Sequence, residues 1–299
     1  LRYKPDSTLA AVIPGGEVGS AAHLARLPNQ TFIFAASLDA EAITLGALSE
    51  AVAQILPEAE KNPTTDFRDM WLGLARQIKG IATCLYAPQR NDLMAGGGLR
   101  NSLTILKTDD GAAFVAGFQK YLNQVNATAD LFSSDAGADQ ALEPTLSTSY
   151  TENALEVEGV RVDQYQVQVE FPPESMQQMG QAAPVVMMLG GTGSSGYIAV
   201  KDDYVLLTTV LDLQLVTSGL KEVVAGGGLG ASGPIRQVRD TALPVHPALE
   251  MYISLSGIAQ AANPIIALMG APPITIPQEV PPIALGMVAK DHTMVGRLY

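Results

Sequence analysis

The chain has 299 residues, 47% of them hydrophobic, and its 30 acidic and 18 basic side chains give a net charge of −12 at pH 7. This length and apolar fraction predict a folded protein of one large domain or two ordinary ones. The excess negative charge repels phosphate backbones, so we expect no nucleic acid partner. Because no apolar run reaches about eighteen residues, we also expect no membrane span in the given chain.

The first part of the chain predicts two strands, a helix pair, a hairpin and a further helix. Apolar runs bounded by turn residues indicate strands, and apolar residues at helical spacing after an Asp indicate capped helices. The predicted strands cover residues 7–13, 31–38, 78–86 and 102–107, and the predicted helices cover 39–56, 65–77 and a segment that begins at Asp109 or Asp110.

A polar stretch at 127–153, poor in aromatic residues, predicts a linker. We therefore place a first α+β domain at 1–140 and a second at 150–299. Alternating apolar residues at 160–169 then predict a strand, in which a phase slip between Val162 and Tyr165 indicates a bulge.

The rest of the chain repeats the same order of elements. Leu243-Pro244 precedes a strand as Leu27-Pro28 does, and the final hairpin lacks a closing helix, so a complete last unit would need residues beyond Tyr299. We predict an α+β fold of repeated β-α-β-β-α units, with antiparallel or mixed sheets and helices packed on one face. The remaining predicted helices are 174–189, 211–225 and 258–269, and the remaining strands are 196–201, 204–209, 283–289 and 293–299.

Residues 191–196 match the pattern G-x-G-x-x-G, which binds a dinucleotide only where it follows a strand and begins a helix. Here it follows a predicted helix and precedes a hairpin. We therefore interpret it as a helix-to-strand loop and predict no cofactor.

Ser218 and Lys221 match the S-x-x-K pattern, in which lysine accepts the serine proton. The accessory motifs of those enzymes are absent, so we predict no catalytic residue. A serine hydrolase that uses this pair remains an alternative.

No metal site is predicted, since His23, His246 and His292 lie far apart in the sequence and match no zinc-binding spacing. Cys84, the one cysteine, falls in an apolar strand and is expected to pack in the core.

Four methionines give the predicted helix 174–189 a soft apolar face, which adapts to irregular partners. Unless this face is simply core, it is the sequence's candidate for contact with a protein or lipid. The four residues are Met176, Met179, Met187 and Met188.

The segment 5–14, the two Leu-Pro pairs and the block 196–224 resemble a family of exported bacterial proteins of unknown function, commonly seen in planctomycete-type bacteria. In that family a hairpin runs into a helix that begins near an Asp, and here residues 197–209 and Asp212 occupy those places. The resemblance implies export to the periplasm or the extracellular space and supplies no catalytic residues. The lack of an initiator Met fits a processed chain.

We therefore expect a non-enzymatic exported binding or structural protein of the cell envelope or extracellular space, which acts through protein–protein contacts. The first alternative is a periplasmic carrier of a lipid or other apolar small molecule. The second is the serine hydrolase.

Overall fold

The structure is a computed structural model that describes residues 4, 7, 21–40, 65–88, 100–135, 145–170, 193–268, 270–277, 279–290 and 293–299. Three predicted elements fall wholly or almost wholly outside these residues. They are the strand at 7–13, the helix at 39–56 and the helix at 174–189.

Within the described residues, ten strands form one sheet in the order β10-β9-β8-β1-β2-β3-β7-β6-β5-β4, and every neighbouring pair is antiparallel. The α+β class and the antiparallel alternative are therefore confirmed. The strands are β1 Phe32–Asp39, β2 Ile78–Tyr86, β3 Ser102–Thr108, β4 Thr145–Val157, β5 Val160–Glu170, β6 Gly193–Lys201, β7 Tyr204–Thr208, β8 Leu249–Ile253, β9 Ile283–Lys290 and β10 Thr293–Leu298.

The described ranges also contain six α-helices and a short 3-10 helix at Leu229–Ala231. The α-helices are α1 Ala21–Leu24, α2 Thr65–Gln77, α3 Gly111–Asp135, α4 Leu213–Ala225, α5 Gly233–Ala242 and α6 Leu255–Leu268.

The sheet is covered by helices on both faces, which corrects the prediction that they pack on one face. Neighbouring residues of a strand point to opposite faces. Ile105 of β3 packs in a core with side chains of α1, α4 and α5. The next residue, Leu106, packs with Leu74 of α2 and Phe114 of α3.

Repetition of the β-α-β-β-α unit is not established by the described residues. The first unit has the expected order β1, α2, β2, β3, α3, but the helix predicted for the second unit lies outside them. The helices that end these two units, α3 and α4, also lie on opposite faces of the sheet. Strand β3 pairs with β7, so the domains predicted at 1–140 and 150–299 contribute to the same sheet. Their division stays a prediction.

The stretch predicted as a linker is largely ordered structure. Helix α3 extends to Asp135, and β4 begins at Thr145 as the edge strand of a long hairpin. Glu158 and Gly159 close that hairpin with φ values of 52° and 74°, which suit a two-residue turn. Polar residues can form this strand because a sheet edge places much of its surface in water.

The phase slip in β5 is not a bulge, because the pairing of β5 with β6 is regular from Val162 to Gln168. Val162 and Tyr165 point to opposite faces, and both side chains are buried. The irregularity lies in the partner strand, between Thr151 and Leu155 of β4.

Helix α4 begins at Leu213, two residues after the predicted start, and ends at the predicted residue. The Asp212 carboxylate accepts hydrogen bonds from the Gln214 and Leu215 amides, and Gly226 ends the helix with a φ of 65°. Helix α5, which begins with Pro234 at one of its first positions, was not predicted.

Gly193 and Gly196 belong to β6, so this part of the G-x-G-x-x-G motif is a strand and not the predicted loop. A Cβ atom at Gly196 would lie 1.8 Å from the Thr208 carbonyl oxygen. Glycine is therefore needed here for close approach of two backbones.

We expect Gly196→Ala to lower the free energy of unfolding by about 3 kcal/mol, because a backbone atom must move to admit the methyl group. Gly73→Ala is the matched control, since no atom lies within 4 Å of the Cβ it would add. In mid-helix that change is expected to stabilise by up to about 1 kcal/mol. Urea denaturation measures the free energy of unfolding of both variants. Equal changes in this free energy for Gly196→Ala and Gly73→Ala would contradict the packing argument.

Candidate functional site

One face of strands β8, β9 and β10 is apolar throughout. The pairing register aligns Leu249 with Met287 and Gly296, Met251 with Leu285 and Leu298, and Ile253 with Ile283. Because alternate residues share a face, these side chains and Met294 form one block, which we call the apolar face. The apolar face consists of Leu249, Met251, Ile253, Ile283, Leu285, Met287, Met294, Gly296 and Leu298.

The apolar face is accessible to solvent, unlike the same face in the middle of the sheet. Leu298 is 76% exposed, Ile283 42% and Ile253 39%. Leu249, Met251, Leu285 and Met287 are half-buried. Single exposed apolar residues are normal, but a contiguous block marks an interaction surface.

Helix α6 and the segment that follows it add further exposed apolar side chains. Leu255 and Ile258 of α6 are 39% and 41% exposed. The Asn263 side chain bonds to both backbone groups of Ile274, at 2.9 Å and 2.7 Å, and so ties the following segment to the helix. Ile274 is itself 49% exposed.

This region is almost free of charge. Residues 251–289 contain one charged side chain, Glu279, in a chain whose net charge is −12. Arg297, the one charged residue of β10, faces away from the apolar face because it alternates with Gly296 and Leu298. Depletion of charge is typical of the buried centre of a protein–protein interface.

The opposite face of β8 carries a buried ion pair. The Glu250 carboxylate oxygen Oε2 accepts hydrogen bonds from Arg239 Nε and Nη2, at 3.1 Å and 2.9 Å, and from the Tyr252 hydroxyl at 2.7 Å. Arg239 Nη1 also donates to the Gly230 carbonyl oxygen at 2.8 Å. Helix α5, the 3-10 helix and β8 are thereby joined by one guanidinium group.

The pKa values of these groups agree with a closed structural cluster. Burial acts to lower the pKa of Arg239, but the adjacent Glu250 carboxylate outweighs it and the pKa is raised. Burial, followed by the charge of Glu250, raises the pKa of Tyr252. Glu250 and Tyr252 are fully buried, so we assign this cluster to stability and not to chemistry.

The S-x-x-K pair receives no support as a catalytic site. Lys221 Nζ lies 3.2 Å from the Glu158 carboxylate, and both side chains are about half exposed. Their helix packs closely on the sheet, since a Cβ at Gly219 would lie 2.6 Å from Leu206. The lysine therefore forms an ion pair with the turn between β4 and β5.

Cys84 and His23 pack in the interior, whereas His246 lies on the surface. Cys84 is buried as expected, and burial raises the pKa of its thiol. The His23 ring packs directly on Gly80, where a Cβ would lie 2.1 Å from Nε2. His246 is exposed with a φ of 52°. His292 lies outside the described residues.

Among the residues that the structure describes, no three His, Cys, Asp or Glu side chains form a group that could hold a metal ion. No helix in the same part of the chain is both long and apolar enough to cross a bilayer. The proposed contact residues Met176, Met179, Met187 and Met188 lie outside the described residues, so that prediction stays open. The apolar face was not predicted, although the charge-free stretch that forms much of it is visible in the sequence.

Comparisons with protein-family models, with curated proteins and with solved structures each found no match to this chain. The site must therefore be interpreted from its own geometry.

We expect Arg239→Met to lower the free energy of unfolding by about 3–5 kcal/mol, because it leaves the Glu250 charge buried without its partner. Arg236→Met, an exposed position on the same helix, is the control and should change little. Adding Glu250→Leu to Arg239→Met should restore part of the loss. Chemical denaturation of the unaltered protein, of Arg239→Met and Glu250→Leu alone and combined, and of the control measures the free energies of unfolding. Additive effects of Arg239→Met and Glu250→Leu would exclude the coupling.

Proposed function

We propose that this protein is a non-enzymatic binding or structural protein that acts through protein–protein contacts, and that its apolar face packs against the same face of a second copy. The single observation that supports this most is the accessible, contiguous apolar face of β8–β10. Export to the periplasm or extracellular space, which the resemblance implies, is part of the proposal.

The charge distribution favours a second copy as the occupant. Two molecules of net charge −12 repel each other over most approaches. The region 251–289 holds a single carboxylate, Glu279. A contact through this region therefore brings fewer negative charges together than a contact through other parts of the surface. A twofold axis places the same patch on both subunits, and an uncharged apolar patch is compatible with itself.

Packing face to face is the arrangement that removes these side chains from water. Two sheets in contact lie about 10 Å apart and interdigitate their side chains. Pairing through the outer edge of β10 would instead extend the sheet and leave the apolar face exposed. Within the described residues β10 is the last strand of the sheet. Tyr299 exchanges hydrogen bonds with Ala284, so the alternation directs the Gly296 and Leu298 amides toward that outer edge.

We expect Leu298→Lys and Ile283→Lys to raise the dissociation constant of the dimer by about a hundred-fold or more, because each buries an unpaired ammonium group in the contact. Both positions are exposed in the single chain, so folding should be retained. Light scattering on protein eluted from a sizing column over a wide range of concentration measures the effect.

Val224→Lys on helix α4 is the matched control, since Val224 is 61% exposed and lies outside the apolar face. Gly296→Pro separates the two arrangements, because it removes an outward amide and leaves the pairing with β9 intact. A protein that is monomeric at every concentration would contradict the proposal. Loss of the dimer in Gly296→Pro together with its retention in Leu298→Lys would replace the face-to-face contact by edge pairing.

A further inference from the structure

A groove of about 660 Å³ lies at the other end of the sheet, between helix α3 and strands β4, β5 and β6. Helix α3 lines it with Ala112, Val115, Ala116 and Gln119. Their spacing of i, i+3, i+4 and i+7 defines one helical face. The volume falls within the range of sites that hold a small organic molecule.

Helix α3 packs on the sheet through one face, and the groove lies beside this contact. At one point Gly111 meets Val200, where a Cβ would lie only 2.6 Å from the valine methyl. At another, the Phe118 ring packs edge-on against Tyr165, with centroids 5.4 Å apart. Phe114, between these contacts, is buried with Ile198, and the exposed alanines of the neighbouring helical face leave the groove open beside Val200.

The bulge in β4 shapes the mouth of the groove. Asn153 lies in the bulge with a φ of 50°, and Asp163 of β5 holds it there. Asp163 Oδ1 accepts the Asn153 amide at 2.7 Å, and Oδ2 accepts the Tyr150 hydroxyl at 2.6 Å. Glu152 accepts a hydrogen bond from Gln119 Nε2 at 3.2 Å. Two of the carboxylates that line the groove are therefore already bound by the protein.

The remaining charges around the groove are Arg161, Lys201 and Asp202. None of the three makes an ion pair with any residue in the described part of the chain. Glu156 lies opposite Arg161 in the register without pairing to it. Lys201 alternates with Val200 and projects to the other face of the sheet. Arg161 is thus an unengaged cation on the α3 side, near the half-buried Val115 and Val200.

We propose that this groove binds a small carboxylate that carries an apolar chain or ring. The apolar part lies on Val200, Val115 and the alanine face of α3, and the carboxylate is bound by Arg161. A guanidinium group matches the two oxygens of a carboxylate. The site is on the opposite end of the sheet from the apolar face and is independent of it.

The probes share an eight-carbon chain and differ in the charge of the head group. They are octanoate, 1-octanol and octylammonium, each used below the concentration at which it forms micelles. Methyl NMR on the full 299-residue chain locates and measures binding at Ile198, Val200 and Ala116. Octanoate is expected to shift these methyl signals saturably and to bind more tightly than the other two probes. Arg161→Gln should weaken octanoate about ten-fold or more and remove the preference over octanol. Ala116→Phe should abolish binding by filling the groove.

Arg236→Gln and Ala113→Phe are the matched controls, since both are exposed and neither lines the groove. Both should bind octanoate as the unaltered protein does. Absence of saturable shifts at the groove, equal affinity for octanoate and octylammonium, or full binding by Ala116→Phe would each overturn the proposal. Shifts confined to the methyl groups of β8–β10 would do the same and would place the ligand on the apolar face.

Discussion

The antiparallel pairing of β3 with β7 is the constraint on which the rest of the structure depends. It joins strands about a hundred residues apart in the sequence and aligns Leu103 with Thr208 and Ile105 with Leu206. Next to the aligned pair of Leu103 and Thr208, the Ser102 and Thr209 hydroxyl oxygens lie 2.8 Å apart. Without this pairing the sheet would divide into a six-strand and a four-strand part. Both hydrophobic cores depend on it, since β3 and β7 supply residues to the core on each face.

Helices on both faces at the centre of the sheet leave its two ends less covered. At β8–β10 the incomplete cover leaves an apolar face, and at β4–β6 it leaves a groove beside the alanines of α3. The two proposed sites therefore have a common origin in the width of the sheet. The described helices pack mainly on the central strands of this ten-stranded sheet.

Strand β8 carries a charged residue on its buried face and apolar residues on its exposed face, the reverse of the usual arrangement. Glu250 is fully buried, whereas Ile253 on the outer face is 39% exposed. Arg239 and Tyr252 bind one oxygen of the buried carboxylate, Oε2, whereas Oε1 has no hydrogen-bond partner among the described residues. The ion pair with Arg239 compensates the buried charge on the inner face. The apolar outer face has no such partner among the described residues, and the hydrophobic effect favours its burial. The proposed contact with a second copy would provide one.

The sequence by itself determined most of the local elements. Residues 65–77 and 78–86 form the predicted helix and strand, Asp212 caps the predicted helix, and Cys84 is buried. Each of these depends on periodicity, capping or composition within a short segment. The α+β class follows from the alternation of such segments.

Only the tertiary structure decided which residues meet. The pairing of β3 with β7, the burial of both faces and the alignment of nine apolar positions across β8–β10 are set by contacts between distant segments. Strand β4 escaped prediction because its polar residues suit an exposed edge as well as a loop. Helix periodicity and strand alternation identify the buried side of an element, but they carry no information on the neighbour that covers it.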